Sequence, residues 1–185
     1  MIRIGASQGF IIDFVLAKYD DAVRIAAALG KTLDTTAKTD LRIREIAAGQ
    51  LGENGSRPDR IEYYFGTTLD EDLDPVADVI LAVSTQRIGV IDLGVFTGDA
   101  EDDDVADVQD IEDMVWGRVG LPPGTTLPFT AAGLVPKRSQ ALTLVLGFDD
   151  GERWAIRMAE PTTGRSAPKF YAGLLQPLDR VIAAK

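Results

Sequence analysis

The chain has 185 residues, 45% of them apolar, with 29 acidic against 19 basic side chains and a net charge of −10. It contains no cysteine and no histidine, which excludes disulfides, thiolate metal sites and any nucleophile–histidine relay built from this chain alone. A field of this sign repels phosphate backbones and anionic headgroups, so nucleic acid and anionic lipid are disfavoured as partners.

Near the N-terminus, Ile11, Val15, Ala22, Ile25 and Leu29 recur near helical spacing, predicting a helix from about Phe10 to Leu29 with Gly30 as its stop. Asp13 interrupts the only apolar N-terminal run. A secretory signal is therefore not read here, and no stretch reaches the ~18 apolar residues of a membrane span. Cytoplasmic residence is the expectation. A second helix is predicted over Leu41 to Ala48, capped by Thr39 or Asp40, with a loop from Leu51 to Asp59.

After residue 60 the period changes to two. Ile61, Tyr63 and Phe65 alternate with Arg60, Glu62 and Tyr64, predicting a strand. Tyr64 is out of phase with its aromatic neighbours and is expected to face outward, which makes it the candidate partner-binding residue. Thr68 to Asp78 reads as an acidic connection. Val79 to Val83 and Ile88 to Ile91, separated by a polar break, read as two antiparallel strands. Gly98 to Asp110 reads as a solvated acidic loop, and Asp113 to Val119 as a strand broken by Leu121-Pro122-Pro123-Gly124. Phe129 to Ser139 reads as an irregular connection.

Leu142, Leu144, Leu146 and Phe148 alternate with Thr143, Val145 and Gly147. After Asp149-Asp150-Gly151-Glu152, Trp154, Ile156 and Met158 alternate with Arg153, Ala155 and Arg157. Two alternating runs around an Asp-Gly pair predict a hairpin. Ser166 is expected to cap a final helix in which Phe170, Leu174, Leu178 and Val181 share a face, with a kink or restart near Gln176 caused by Pro177.

Three constellations could carry chemistry. Gly5-Ala6-Ser7-Gln8-Gly9 matches the nucleophile-elbow spacing, but the histidine that motif requires is absent. Asp99, Glu101, Asp103 and Asp107 offer hard oxygens that suit Ca²⁺ or Mg²⁺. The EF-hand spacing fails, because Asp104 stands at the sixth position from Asp99 and Asp110 at the twelfth. Trp116, Trp154, Tyr63 and Phe65 at strand spacing are expected to fill a core.

The segments Val79 to Val90, Ile111 to Trp116, and the final hairpin with Phe170 to Val181 together resemble the pleckstrin-homology-like superfold, in its bacterial and GRAM-like versions, over about residues 41–184. The resemblance implies a binding scaffold rather than an enzyme. Its phosphoinositide-binding members use clustered basic residues near the first hairpin. Here the corresponding loop carries Asp70, Glu71, Asp72 and Asp74, so that ligand is disfavoured.

The expectation is thus an α+β chain. An N-terminal helical segment (1–55) precedes an antiparallel sheet or partly open β-barrel (56–185) capped by a C-terminal helix. A non-enzymatic module binding a protein partner is expected, with self-association through the N-terminal helix as a further expectation. The rival is an enzyme using carboxylates and a divalent ion around residues 99–107.

Overall fold

Among the described residues, eight strands run between Glu62 and Met158, and all pair antiparallel in one sheet. The computed structural model describes residues 15–16, 18–19, 21–28, 37–52, 58, 60–94, 106–121, 125–128, 142–161 and 170–185. In chain order come helices α1 (Ala22–Ala28) and α2 (Ala37–Gln50), then strands β1 (Glu62–Leu69), β2 (Pro75–Val83), β3 (Arg87–Asp92) and β4 (Ala106–Asp110). A 3-10 turn at Ile111–Asp113 leads to β5 (Met114–Leu121), β6 (Thr125–Pro128), β7 (Thr143–Phe148), β8 (Arg153–Met158) and helix α3 (Ala172–Ala183). The strand order is β4-β3-β2-β1-β8-β7-β5-β6. The sheet has two ends, β4 and β6, so it stays open. This is the α+β architecture that the alternation implies.

The predicted hairpin is β7 and β8, registered as Gly147 opposite Arg153 and Leu146 opposite Trp154. Gly151 sits at φ 90° in its turn, a conformation that costs glycine nothing. The Asp150 carboxylate accepts from the Glu152 amide at 2.8 Å. The strands at Val79–Val83 and Ile88–Ile91 likewise pair as expected.

Residues 64–67 of β1, 79–83 of β2 and 88–91 of β3 are buried consecutively rather than alternately. Such runs need cover on both faces. One face is covered by the N-terminal helices. A Cβ on Gly89 would meet Leu51, just beyond α2, and Val108 of β4. The other face meets α3, whose Leu174, Leu175 and Leu178 are buried. Val15, Tyr19, Ile25, Ile43, Ile46, Ala47 and Leu51 belong to the same core cluster as the strands and α3.

Several boundaries differ from expectation, each for a local reason. The predicted single helix over 10–29 is interrupted. Residues 15, 16 and 18 are helical, but Tyr19 makes an antiparallel bridge with Pro161, and α1 begins only at Ala22. Tyr19 leaves the helix to pack edge-on against Phe65 (6.1 Å between centroids) and Phe170 (5.7 Å). The Asp21 carbonyl then accepts from the Ile25 amide at 2.9 Å and starts a new helix, with aspartate at a position that suits it. Helix α2 runs further than Leu41–Ala48 at both ends, so Thr39 and Asp40 are buried inside it rather than capping it. Asp40 is satisfied by Arg44 one turn on, at 2.8 Å.

The connection expected over 68–78 shrinks to residues 70–74. There the Asp70 carboxylate accepts from the amides of Asp72 and Asp74, and Pro75 opens β2. A strand's first position is where proline fits without losing a ladder bond. The end of the expected acidic loop is strand β4, paired along β3 from Ala106 opposite Ile91 to Asp110 opposite Arg87. Arg87 explains this. Its Nε donates to Asp110 at 2.6 Å, and its Nη1 donates to the carbonyls of Gln50 (3.3 Å) and Gly52 (2.9 Å) behind α2. One guanidinium thus neutralises an acidic strand and closes a helix end. Strand β6 was not foreseen; it pairs back on β5 from Thr125 opposite Leu121. Helix α3 continues through Pro177 with no restart. The carbonyl that proline leaves without its helical partner belongs to Gly173, an exposed residue. The expected cap at Ser166, the Gly5–Gly9 motif and the connection after Phe129 lie outside the described residues.

Candidate functional site

Strands β5, β7 and β8 have two different faces. Leu144, Leu146, Phe148, Ile156 and Met158 point into the main core. Val145 and Ala155, one residue out of phase, form a separate small cluster with Leu69. The register arranges that second face in rows. Trp116, Gly147 and Arg153 make one row; Arg118, Val145 and Ala155 the next; Gly120, Thr143 and Arg157 the third. Each row carries one arginine, in a chain with ten more acidic than basic residues.

A bulge sets the position of Trp116. The β5–β7 register shifts between Met114 and Trp116, so Val115 is an extra residue on β5. Val115 is 42% and Trp116 39% exposed, adjacent in the sequence. A bulge bends the strand and re-aims its side chains. The indole lies over Gly147, where an added Cβ would fall inside its ring. Trp116 was expected in the core. The glycine opposite it instead gives it a seat on the outer face.

Arg118, Arg153 and Arg157 are exposed, and none of the three forms an ion pair among the described residues. Arg157 makes one long contact, to the Leu73 carbonyl at 3.4 Å. Two recesses border the face. One, of about 390 Å³, is lined by Leu69, Asp70, Glu71, Glu152, Arg153 and Ala155. The other, of about 340 Å³, lies among Arg24, Thr67, Val76, Asp78 and Arg157. In the latter, Arg24 donates to both Asp78 oxygens and to Thr67, and its ring-facing side lies 5.4 Å from Phe65. The bonds to Asp78 raise the pKa of Arg24 and pin α1 to the sheet.

The sequence-predicted residues lie elsewhere. Tyr64 is 3% exposed, not outward-facing. Strand β1 pairs with β8 only over Gly66–Thr68, so Tyr64 runs past the end of β8, and aromatic rings fill that space. Its ring stands 5.5 Å from Tyr171, its hydroxyl donates to Glu62 at 2.5 Å, and Lys18 Nζ sits 4.4 Å over it. Lys18 also lies 4.9 Å from the Phe170 ring and donates to the Tyr63 carbonyl at 3.0 Å. Burial lowers the Lys18 pKa to about 8, against an upward pull from Glu62. Asp107 is an exposed residue of β4, while Asp99, Glu101 and Asp103 lie outside the described residues. No group of three or more acidic side chains placed to hold a metal occurs among the described residues. No helix there is long and apolar enough to cross a membrane.

Sequence reasoning passed over the arginine–tryptophan face. The period-two spacing of Arg153 and Arg157 was legible. That Arg118 and Trp116 share their face depends on strand order and the bulge.

No protein-family model matches the chain, and no curated relative matches it. Among solved structures it is similar to the apo structure of the activated truncation of Vav1, at 13% identity and a TM-score of 0.36. It is also similar to Vav1 inhibited by an allosteric inhibitor, at 12% identity and 0.37. Each match covers 88% of this chain and 37% of the Vav1 chain.

Proposed function

We propose that this chain is a non-enzymatic interaction module of the pleckstrin-homology-like kind, and that it takes a protein partner on the outer face of β5, β7 and β8. An antiparallel sheet closed by a terminal amphipathic helix supports the scaffold reading. One observation carries the docking reading: Val115 and Trp116 are exposed side by side, among three arginines without an ion-pair partner among the described residues. Tryptophan and arginine are the residues most enriched where binding energy concentrates, because each combines a large contact area with directional polar contacts. Trp116 is also already seated on Gly147, so little side-chain freedom is lost on binding.

Site-specific photo-crosslinking in the native cell tests this. A photoreactive residue at Val115 or Glu152, which border the face, is expected to trap a discrete protein. The same residue at Val23 or Leu41, exposed on the N-terminal helices, is expected to trap none. A discrete adduct from the helical positions alone, or none from any position, refutes the assignment.

A further inference from the structure

We infer that the partner presents an extended acidic polypeptide segment whose carboxylates meet Arg118, Arg153 and Arg157, while an apolar side chain packs on Trp116. This rests on the docking reading above and adds the chemistry of the ligand.

The geometry comes from the register. Arg153 and Arg157 stand four residues apart on β8, about 13 Å at the rise of a strand. Arg118 lies in the row between them, two strands away across Val145, about 10 Å off at the usual strand spacing. An extended peptide places side chains i and i+4 on one face at that same ~13 Å. Carboxylates at those positions can each meet a planar, bidentate guanidinium. Between the arginines Val145 and Ala155 are buried in a small cluster with Leu69, so the apolar area left open to a partner is that of Trp116, at one corner, and its neighbour Val115.

The rim decides the class of ligand. Asp70, Glu71 and Glu152 border the recess beside Arg153. A nucleic-acid strand or a charged membrane surface is anionic along its whole length, and would meet that rim and the field of a chain of net charge −10. A polypeptide can set its carboxylates over the arginines alone and present neutral or basic residues to the rim. Repulsion at the rim then adds specificity to the attraction at the centre.

Fluorescence anisotropy on the full chain tests the inference. The probe is a labelled nonapeptide with two glutamates four residues apart between β-branched residues. Its controls are the glutamine and lysine versions, an oligothymidylate, and vesicles containing phosphatidylserine. Saturable binding of the glutamate peptide is expected, about tenfold weaker for the glutamine version and about tenfold weaker again for Arg153→Glu or Arg118→Glu chains. Both substitutions are of exposed side chains, and far-UV circular dichroism verifies their folding. Absence of saturable binding by the glutamate peptide overturns the inference. So does binding undiminished in both variants, or a preference for the oligonucleotide or the vesicles. If the crosslinker at Val115 still traps a protein, only the ligand class falls; if it traps nothing, the docking face falls with it.

Discussion

Raising the pH above neutrality should stabilise this protein, the reverse of what most proteins do, and Lys18 is the reason. Its ammonium is held between the Tyr63 carbonyl and the rings of Tyr64 and Phe170, and burial lowers its pKa from 10.5 to about 8. Between those two values the unfolded chain binds a proton that the folded chain has released, so unfolding becomes harder as pH rises. At full strength the shift is worth about 2 kcal/mol between pH 7 and pH 9.5. The surrounding rings also attract the charged form, so a rise of about 1 kcal/mol is expected. The composition makes the window clean, because with no histidine and no cysteine almost no other side chain titrates there. Above about pH 10 the trend must reverse. Burial raises Tyr63 to about 12 and pushes Tyr19, Tyr64 and Tyr171 up as well, so unfolded tyrosines ionise first and the native state loses ground. Urea unfolding at half-unit intervals, for the wild type and for Lys18→Met, measures both limbs. The substituted chain should be flat from pH 7 to about 9, where the tyrosines of the unfolded chain begin to ionise. A wild-type stability that is flat or falling over that range, or a rise that survives in Lys18→Met, refutes the assignment of the cation to its aromatic surroundings.

Two further perturbations test the packing. Gly147→Ala places a methyl inside the Trp116 indole, so Trp116 must leave its seat. A loss of about 1–3 kcal/mol in urea melts is expected, with a red shift of Trp116 emission in a Trp154→Phe background. An unchanged emission would mean that the indole never lay on that glycine. Tyr171→Phe keeps the ring against Tyr64 but removes the hydroxyl that donates to the Ala159 carbonyl. With that carbonyl left unpaired in a buried setting, a loss of about 1–3 kcal/mol is expected by the same melts.

The elements that were legible in the sequence are those whose local pattern and tertiary environment agree. The β7–β8 hairpin has one face in the main core and one outside it, so its apolar residues alternate, and Asp150-Gly151 marks its turn. The apolar stripe of α3 was equally plain. Where two layers cover one strand the alternation disappears. Val79 to Val83 therefore could not reveal that helices lie across its outer face. Strand β4 was hidden for an electrostatic reason, since its acidic residues look solvated until Arg87, distant in sequence, is placed beside Asp110. Tyr64 was misplaced because phase alone cannot show where β1 outruns β8 and packs aromatics along both faces. The metal-ligand expectation at Asp99, Glu101 and Asp103 falls outside the described residues.

The availability of Arg157 follows from a competition settled within the fold. Its row continues across the sheet through Thr67 to Asp78, and Asp78 is the only acid in that row. Left to these strands alone, Arg157 and Asp78 would be separated by one threonine and drawn together. Arg24, brought in by α1, takes both Asp78 oxygens and the Thr67 hydroxyl instead. Thr67 itself donates to Asp78 at 2.8 Å, completing that carboxylate's set of partners. The N-terminal helix therefore does more than cover β1 and β2. By satisfying Asp78, the carboxylate in Arg157's own row, it leaves a guanidinium facing outward on the strand where Arg153 already stands, and so supplies the second of the two charges that give the face its spacing.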